Sequence, residues 1–70
     1  MLVNYLDGHE THVNPNYIIK TWRTKNSLVD GGYNYRLKMF GDKQLRTENS
    51  LATLIDRDSY VRIVTWLEAQ

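Results

Sequence analysis

Seventy residues, 41% of them hydrophobic and 24% charged, suit one small folded domain and exclude a disordered tail. A chain this short buries only about 60% of the surface its unfolded form exposes. With no cysteine to form a disulfide or a thiolate metal site, the core must supply a stability of roughly 4–10 kcal/mol. The net charge of +1 does not separate nucleic-acid binders from others, but residues 17–46 hold a local balance of +5 against −2 in each flank. Residues 1–70 read as a single domain with strands within about 2–49 and a helical region over about 50–69. No basic-then-apolar leader stands at the start, and no apolar run approaches the ~20 residues needed to span a bilayer. The expected address is cytoplasmic, away from membranes.

In chain order, "LVNYLDGHETHV" reads as a hairpin. Asp7-Gly8 supplies the pair of positive φ angles that a two-residue primed turn needs between strands at about 2–6 and 9–13. Asn14-Pro15 ends the second strand, because proline has no ladder donor and restricts the residue before it. A third strand rich in Ile, Thr, Tyr and Trp follows at about 17–25, then a loop ending in Asp30-Gly31-Gly32. The clearest alternation is "YNYRLKMF": Tyr33, Tyr35, Leu37 and Met39 point one way, Asn34, Arg36, Lys38 and Phe40 the other. Gly41-Asp42 turns the chain into a fifth strand, "KQLRTE", with Leu45 inward and Arg46 outward. In the last third, Leu51, Leu54 and Ile55 share one helical side, while Tyr60, Val61, Ile63, Val64 and Leu67 lie nearly opposite. One straight helix cannot bury both. "DRDS" supplies the break, with Ser50 capping a first short turn and Asp58 capping a helix of about 59–69.

The run "LDG…VNPNYI…YRLKMFGDKQLRTENSLATLI" resembles the small bacterial flagellar proteins called FlbD or SwrD. The shared features fall at Asp7-Gly8, Asn14-Pro15, Ile18, Gly41 and Glu48-Asn49-Ser50, within about residues 5–56. The chain differs in a longer loop at 26–32, more aromatics and a second helical segment. The resemblance implies a non-enzymatic motility factor that works through protein contacts.

Few residues offer chemistry. "HETH" at 9–12 is not the zinc-protease signature, since the second histidine comes at i+3 and a strand turns His9 and His12 to opposite sides. Asp56 and Asp58 read as helix punctuation rather than an acid–base pair. No nucleophile turn or phosphate-binding loop is present. The chain is expected not to be an enzyme, with no cofactor and no metal site.

Surfaces offer more. On one face of an antiparallel sheet, Arg36 and Lys38 lie near Arg46, and the third strand adds Lys20, Trp22 and Thr24 at the same parity. An aromatic ring among cations suits stacked single-stranded nucleic acid or an acidic protein surface. Alternation leaves Trp22 open: Tyr17, Ile19 and Thr21 compete with Ile18 and Trp22 for the inward parity, and large aromatics usually bury. On the helix, Trp66 sits about 130° from the centre of the apolar face, beside Arg62; either it docks back onto the sheet, or with Arg62 it marks a partner or dimer surface.

These readings give an α+β fold: a small antiparallel sheet of four or five strands with C-terminal helix or helices packed on one face. The expected inward set is Leu2, Leu6, Val13, Ile19, Tyr33, Tyr35, Leu37, Met39, Leu45, Leu54, Ile55, Val61, Val64 and Leu67. The expected function is a small binding or regulatory protein acting by contact with a larger protein, as an accessory factor or a phage-type inhibitor. The alternative is single-stranded RNA or DNA binding through the basic aromatic face. Edge strands also leave room for a homodimer.

Overall fold

The computed structural model describes residues 1–26, 32–41 and 54–70. Its fold is α+β, with a two-stranded and a three-stranded antiparallel sheet and one C-terminal helix. Strands β1 (Leu2–Asn4) and β2 (Glu10–His12) form the first sheet. Strands β3 (Ile18–Asn26), β4 (Gly32–Met39) and β5 (Leu54–Ile55) form the second, in the order β3-β4-β5. A Tyr5–Ile55 bridge joins the two sheets edge to edge. Helix α1 covers Arg57–Glu68. The expected fifth strand at 43–48, with Leu45, and the Ser50 cap lie outside the described residues.

The first turn differs from the expected two-residue form. The Tyr5 N–H donates to the His9 carbonyl at 2.9 Å and the Gly8 N–H to the Tyr5 carbonyl at 3.1 Å, so Leu6, Asp7 and Gly8 make a three-residue loop. Only Gly8 takes a positive φ, +98°, while Asp7 stays in ordinary space. After β2, Asn14 caps a single 3-10 turn, Pro15–Tyr17, by accepting from the Asn16 N–H at 3.0 Å. Proline fits its start because the first N–H of a helix has no internal partner.

Leu54 and Ile55, expected in a helical segment, form β5 instead, with Tyr35 opposite Ile55 and Arg36 opposite Leu54. The helix starts two residues earlier than expected, and its cap is Asp56 rather than Asp58. The Asp56 carboxylate accepts from the Ser59 N–H at 2.8 Å, and Asp58 lies in the first turn near the positive end of the dipole.

The core is built from Val3, Ile18, Leu37, Ile55 and Ile63, with Met1, Tyr5, Val13, Tyr35, Met39, Tyr60 and Leu67 packed against it. Several expected inward residues are out: Leu6, Ile19, Tyr33 and Val61 are exposed, and Val3 rather than Leu2 is fully buried. The helix shows why. Its buried face centres on Ile63 and the fully buried Ser59, about 90° round from the expected centre at ~100° per residue. Ser59 is inside because its hydroxyl accepts from the Asn4 N–H at 2.9 Å. A hydrophobic count cannot foresee a serine at the centre of a packed face.

Ser59→Ala leaves the Asn4 N–H without that acceptor and should lower stability by about 1–3 kcal/mol in urea unfolding. Gly8→Ala meets no atom within 4 Å of its new Cβ, so its cost is conformational, about 1–2 kcal/mol. A Gly8→Ala protein as stable as wild type would contradict the assigned turn.

Candidate contact surfaces

The β3–β4 ribbon positions most of the expected binding residues. Lys20 lies opposite Lys38, Thr21 opposite Leu37, Trp22 opposite Arg36 and Arg23 opposite Tyr35, but Ile18 lies opposite Met39. One residue of β3, Ile19, is therefore extra, and the strand bulges there. The bulge reverses the alternation. Ile18 faces the core before it and Thr21, paired with Leu37, faces the core after it, so Trp22 points to the other face of the sheet. Trp22, which alternation left open between core and surface, is half-buried and outside the core cluster.

On that second face Lys20 Nζ sits 4.5 Å over the Trp22 ring, a cation–π contact of about 0.5–1 kcal/mol at an exposed site. Lys38 is half-buried beside them. Arg36 shares the face but is only 7% exposed, next to Leu54 at 3%. Its guanidinium is thus a buried group and not one offered to solvent. Arg46 lies outside the described residues.

The sequence leaves Trp66 open between docking back onto the sheet and marking a contact surface. Trp66 is half-buried and only about 60° from Ile63 at ~100° per residue, so it flanks the packed face. Arg62 donates through Nη1 to the Leu2 carbonyl at 2.5 Å, tying the helix to β1.

Two features were not foreseen. On the core side of the ribbon, the Arg23 guanidinium lies 4.4 Å over the Tyr33 ring, and Tyr35 contacts Tyr60 at 4.7 Å between centroids. The alternation that set Tyr33 and Tyr35 on one side carried this signal, but the parity of Arg23 depended on the bulge. At the bulged end, Tyr17, Ile19 and Phe40 are 58%, 52% and 77% exposed. The Phe40 N–H donates to the Tyr17 carbonyl at 2.6 Å, which holds two of the three at one place.

The "HETH" stretch forms a small polar assembly. His9 stacks on Tyr5 at 4.3 Å and 7°, and its Nδ1 contacts the Asp7 carboxylate. Asp7 also accepts from the His9 N–H at 2.9 Å. That backbone bond first, and the His9 ring second among the favourable causes, hold the Asp7 carboxyl below the ordinary aspartate range. His12 lies in β2, where all three residues are exposed. Among the described residues no group of three His, Cys, Asp or Glu is arranged to hold a metal ion, and no helix is long and apolar enough to cross a membrane.

No family model matches the chain, and neither curated proteins nor solved structures give a significant match.

Because the Asp7 pKa is depressed on folding, its stabilising effect is full above the unfolded value of about 4 and is lost as pH falls through the folded value. Asp7→Asn keeps an acceptor for the His9 N–H but removes the charge. The gap in unfolding midpoint between wild type and Asp7→Asn should therefore close as pH drops below about 4. A gap constant from pH 6 to pH 2 would refute the assignment.

Proposed function

We propose that this chain is a small non-enzymatic binding or regulatory protein, which acts by laying the bulged end of the β3–β4 ribbon on a larger protein. The observation that carries this reading is the exposure of Tyr17, Ile19 and Phe40 at one end of the ribbon. A 70-residue chain has few large apolar side chains to spare from its core, and an apolar patch rimmed by polar groups marks an interaction site. Lys20, opposite Lys38 on the adjacent stretch, supplies that rim and favours an acidic surround on the partner. The resemblance to the FlbD/SwrD proteins implies the same class of action, with a motility machine as the larger partner.

The second reading is single-stranded nucleic acid. The Lys20–Trp22 contact on the face away from the core supports it, since a ring beside a cation can stack a base and meet a phosphate. Among the described residues, with Arg36 buried, Lys20 and Lys38 remain as phosphate contacts on this face, and these two alone give a shallow log–log salt slope for single strands, about −1 to −2.

Ile19→Ser with Phe40→Ser changes only exposed side chains and should leave the fold intact. Immobilised wild-type protein should retain a discrete partner from an extract of the cells that make it. The double variant should lose it about tenfold, and His12→Ala on β2 should keep it. Equal capture by the double variant removes the reading. Salt-sensitive quenching of Trp22 by oligouridylate, read in a Trp66→Phe background, would move the assignment to nucleic acid.

A further inference from the structure

Among the described residues, β3 has a strand partner on one edge, β4. β4 pairs with it from Lys20 to Asn26 without interruption, and among the described residues no strand pairs with the opposite edge. That edge offers seven consecutive residues, about 20 Å at ~3.3 Å per residue. Proline would block such an edge, but Pro15 lies before the strand, and the bulge is confined to its first residues.

Its charge limits what can dock there. Lys20 and Trp22 lie on one face of β3, and Arg23 and Lys25 on the other, with all three cations exposed. Among the described residues none of the three is ion-paired. Lys20 is laid over Trp22 of its own strand at 4.5 Å, which orders its head on β3 before anything binds, whereas Arg23 lies over Tyr33 of β4 at 4.4 Å and must swing from that ring to meet an added strand. A second copy of the chain is a poor occupant. Two β3 edges brought together would set the same three cations against each other, and like charges across a strand pair are destabilising. A carboxylate-bearing strand reverses that sign on both faces.

We infer that the open edge of β3 takes an extended acidic segment of a partner protein as an added antiparallel strand. The backbone ladder supplies the generic affinity, and alternate side chains supply the selection. The favoured segment has carboxylates opposite Lys20, Arg23 and Lys25, and a β-branched or aromatic side chain opposite Trp22. This rests on the protein-contact reading above and adds to it the chemistry of the partner.

The probe is the capped peptide Thr-Glu-Thr-Glu-Val-Thr-Glu-Thr, with three companions: the same peptide with Lys for every Glu, the same peptide N-methylated at alternate residues, and oligouridylate. Amide exchange of the full chain is followed residue by residue. The Glu peptide should slow exchange along one edge of β3 by roughly tenfold at saturation, and the Lys and N-methylated peptides should not. Lys20→Glu, Arg23→Glu and Lys25→Glu together should weaken the Glu peptide by about tenfold and switch preference to the Lys peptide.

Equal binding of the N-methylated peptide would show attraction without a strand, and would overturn the inference. So would oligouridylate shifting β3 where the Glu peptide does not, or protection of β3 by self-association in the absence of peptide. If Ile19→Ser with Phe40→Ser abolishes partner capture while the Glu peptide leaves β3 unprotected, this inference fails and the protein-contact reading stands. If the peptide protects β3 while capture ignores the double variant, the edge site stands and the apolar patch falls.

Discussion

The N-terminal strand is hydrogen-bonded along both edges, and the second set of partners comes from the far end of the chain. β2 satisfies one edge. On the other, the Leu2 carbonyl accepts from Arg62, the Asn4 N–H donates to Ser59, the Asn4 carbonyl accepts from the Asp56 N–H, and the Leu6 N–H donates to the Leu54 carbonyl. A two-stranded hairpin is marginal alone in water. Here it gains a third neighbour that is 48 to 60 residues distant in sequence, so hairpin and helix stand or fall together. Val3, Ile55 and Ile63, each fully buried, fill the space this closure creates. The polar contacts set where the helix lies, and the apolar ones make that placement favourable.

A second constraint, the single extra residue at Ile19, divides core from surface on β3. Without the bulge, the parity that puts Ile18 inside would put Trp22 inside as well. With it, Ile18 packs on the core and Trp22 faces away beside Lys20. This is why alternation gave two equal answers for that strand: each was right for one half. Where β4 has no bulge, its alternation was legible from residue types alone, and Tyr35, Leu37 and Met39 do lie on the core side.

Other elements were readable in proportion to how local their cause is. Gly8 at a turn, Asn14-Pro15 at a strand end and the start of a helix near "DRDS" are short-range effects, and they fall within a residue or two of where the sequence placed them. Leu54 and Ile55 are a case of the opposite kind. Two adjacent apolar residues suit a helix face or a buried strand equally, and only their pairing with Tyr35, Arg36 and Tyr5 selects the strand. Ser59 is the extreme. Its burial follows from one backbone N–H, that of Asn4, 55 residues away, and through it the whole buried face turns, leaving Val61 outside and bringing Trp66 to the margin of the core. The site residues divide the same way: a shared face for Lys20, Arg36 and Lys38 was legible from parity, but the register of β3 on β4 and the burial of Arg36 beside Leu54 were not.

The lengths of the strands explain why contact chemistry gathers on β3 and β4. β1, β2 and β5 have three, three and two residues, whereas β3 and β4 have nine and eight. Among the described residues, β5 faces Tyr35 and Arg36 of β4, and the paired stretch of β3 and β4 extends beyond these two positions. A two-stranded ribbon in water needs cross-strand side-chain pairs to hold its shape. Lys20 over Trp22 on one face and Arg23 over Tyr33 on the other act in that way. The same pairs keep cations and rings ordered at the surface, so the groups that hold the ribbon together are also the groups it can present. Binding there would cost less side-chain entropy than on a bare lysine-rich face, and a protein with this small a core can hold a defined surface by such means.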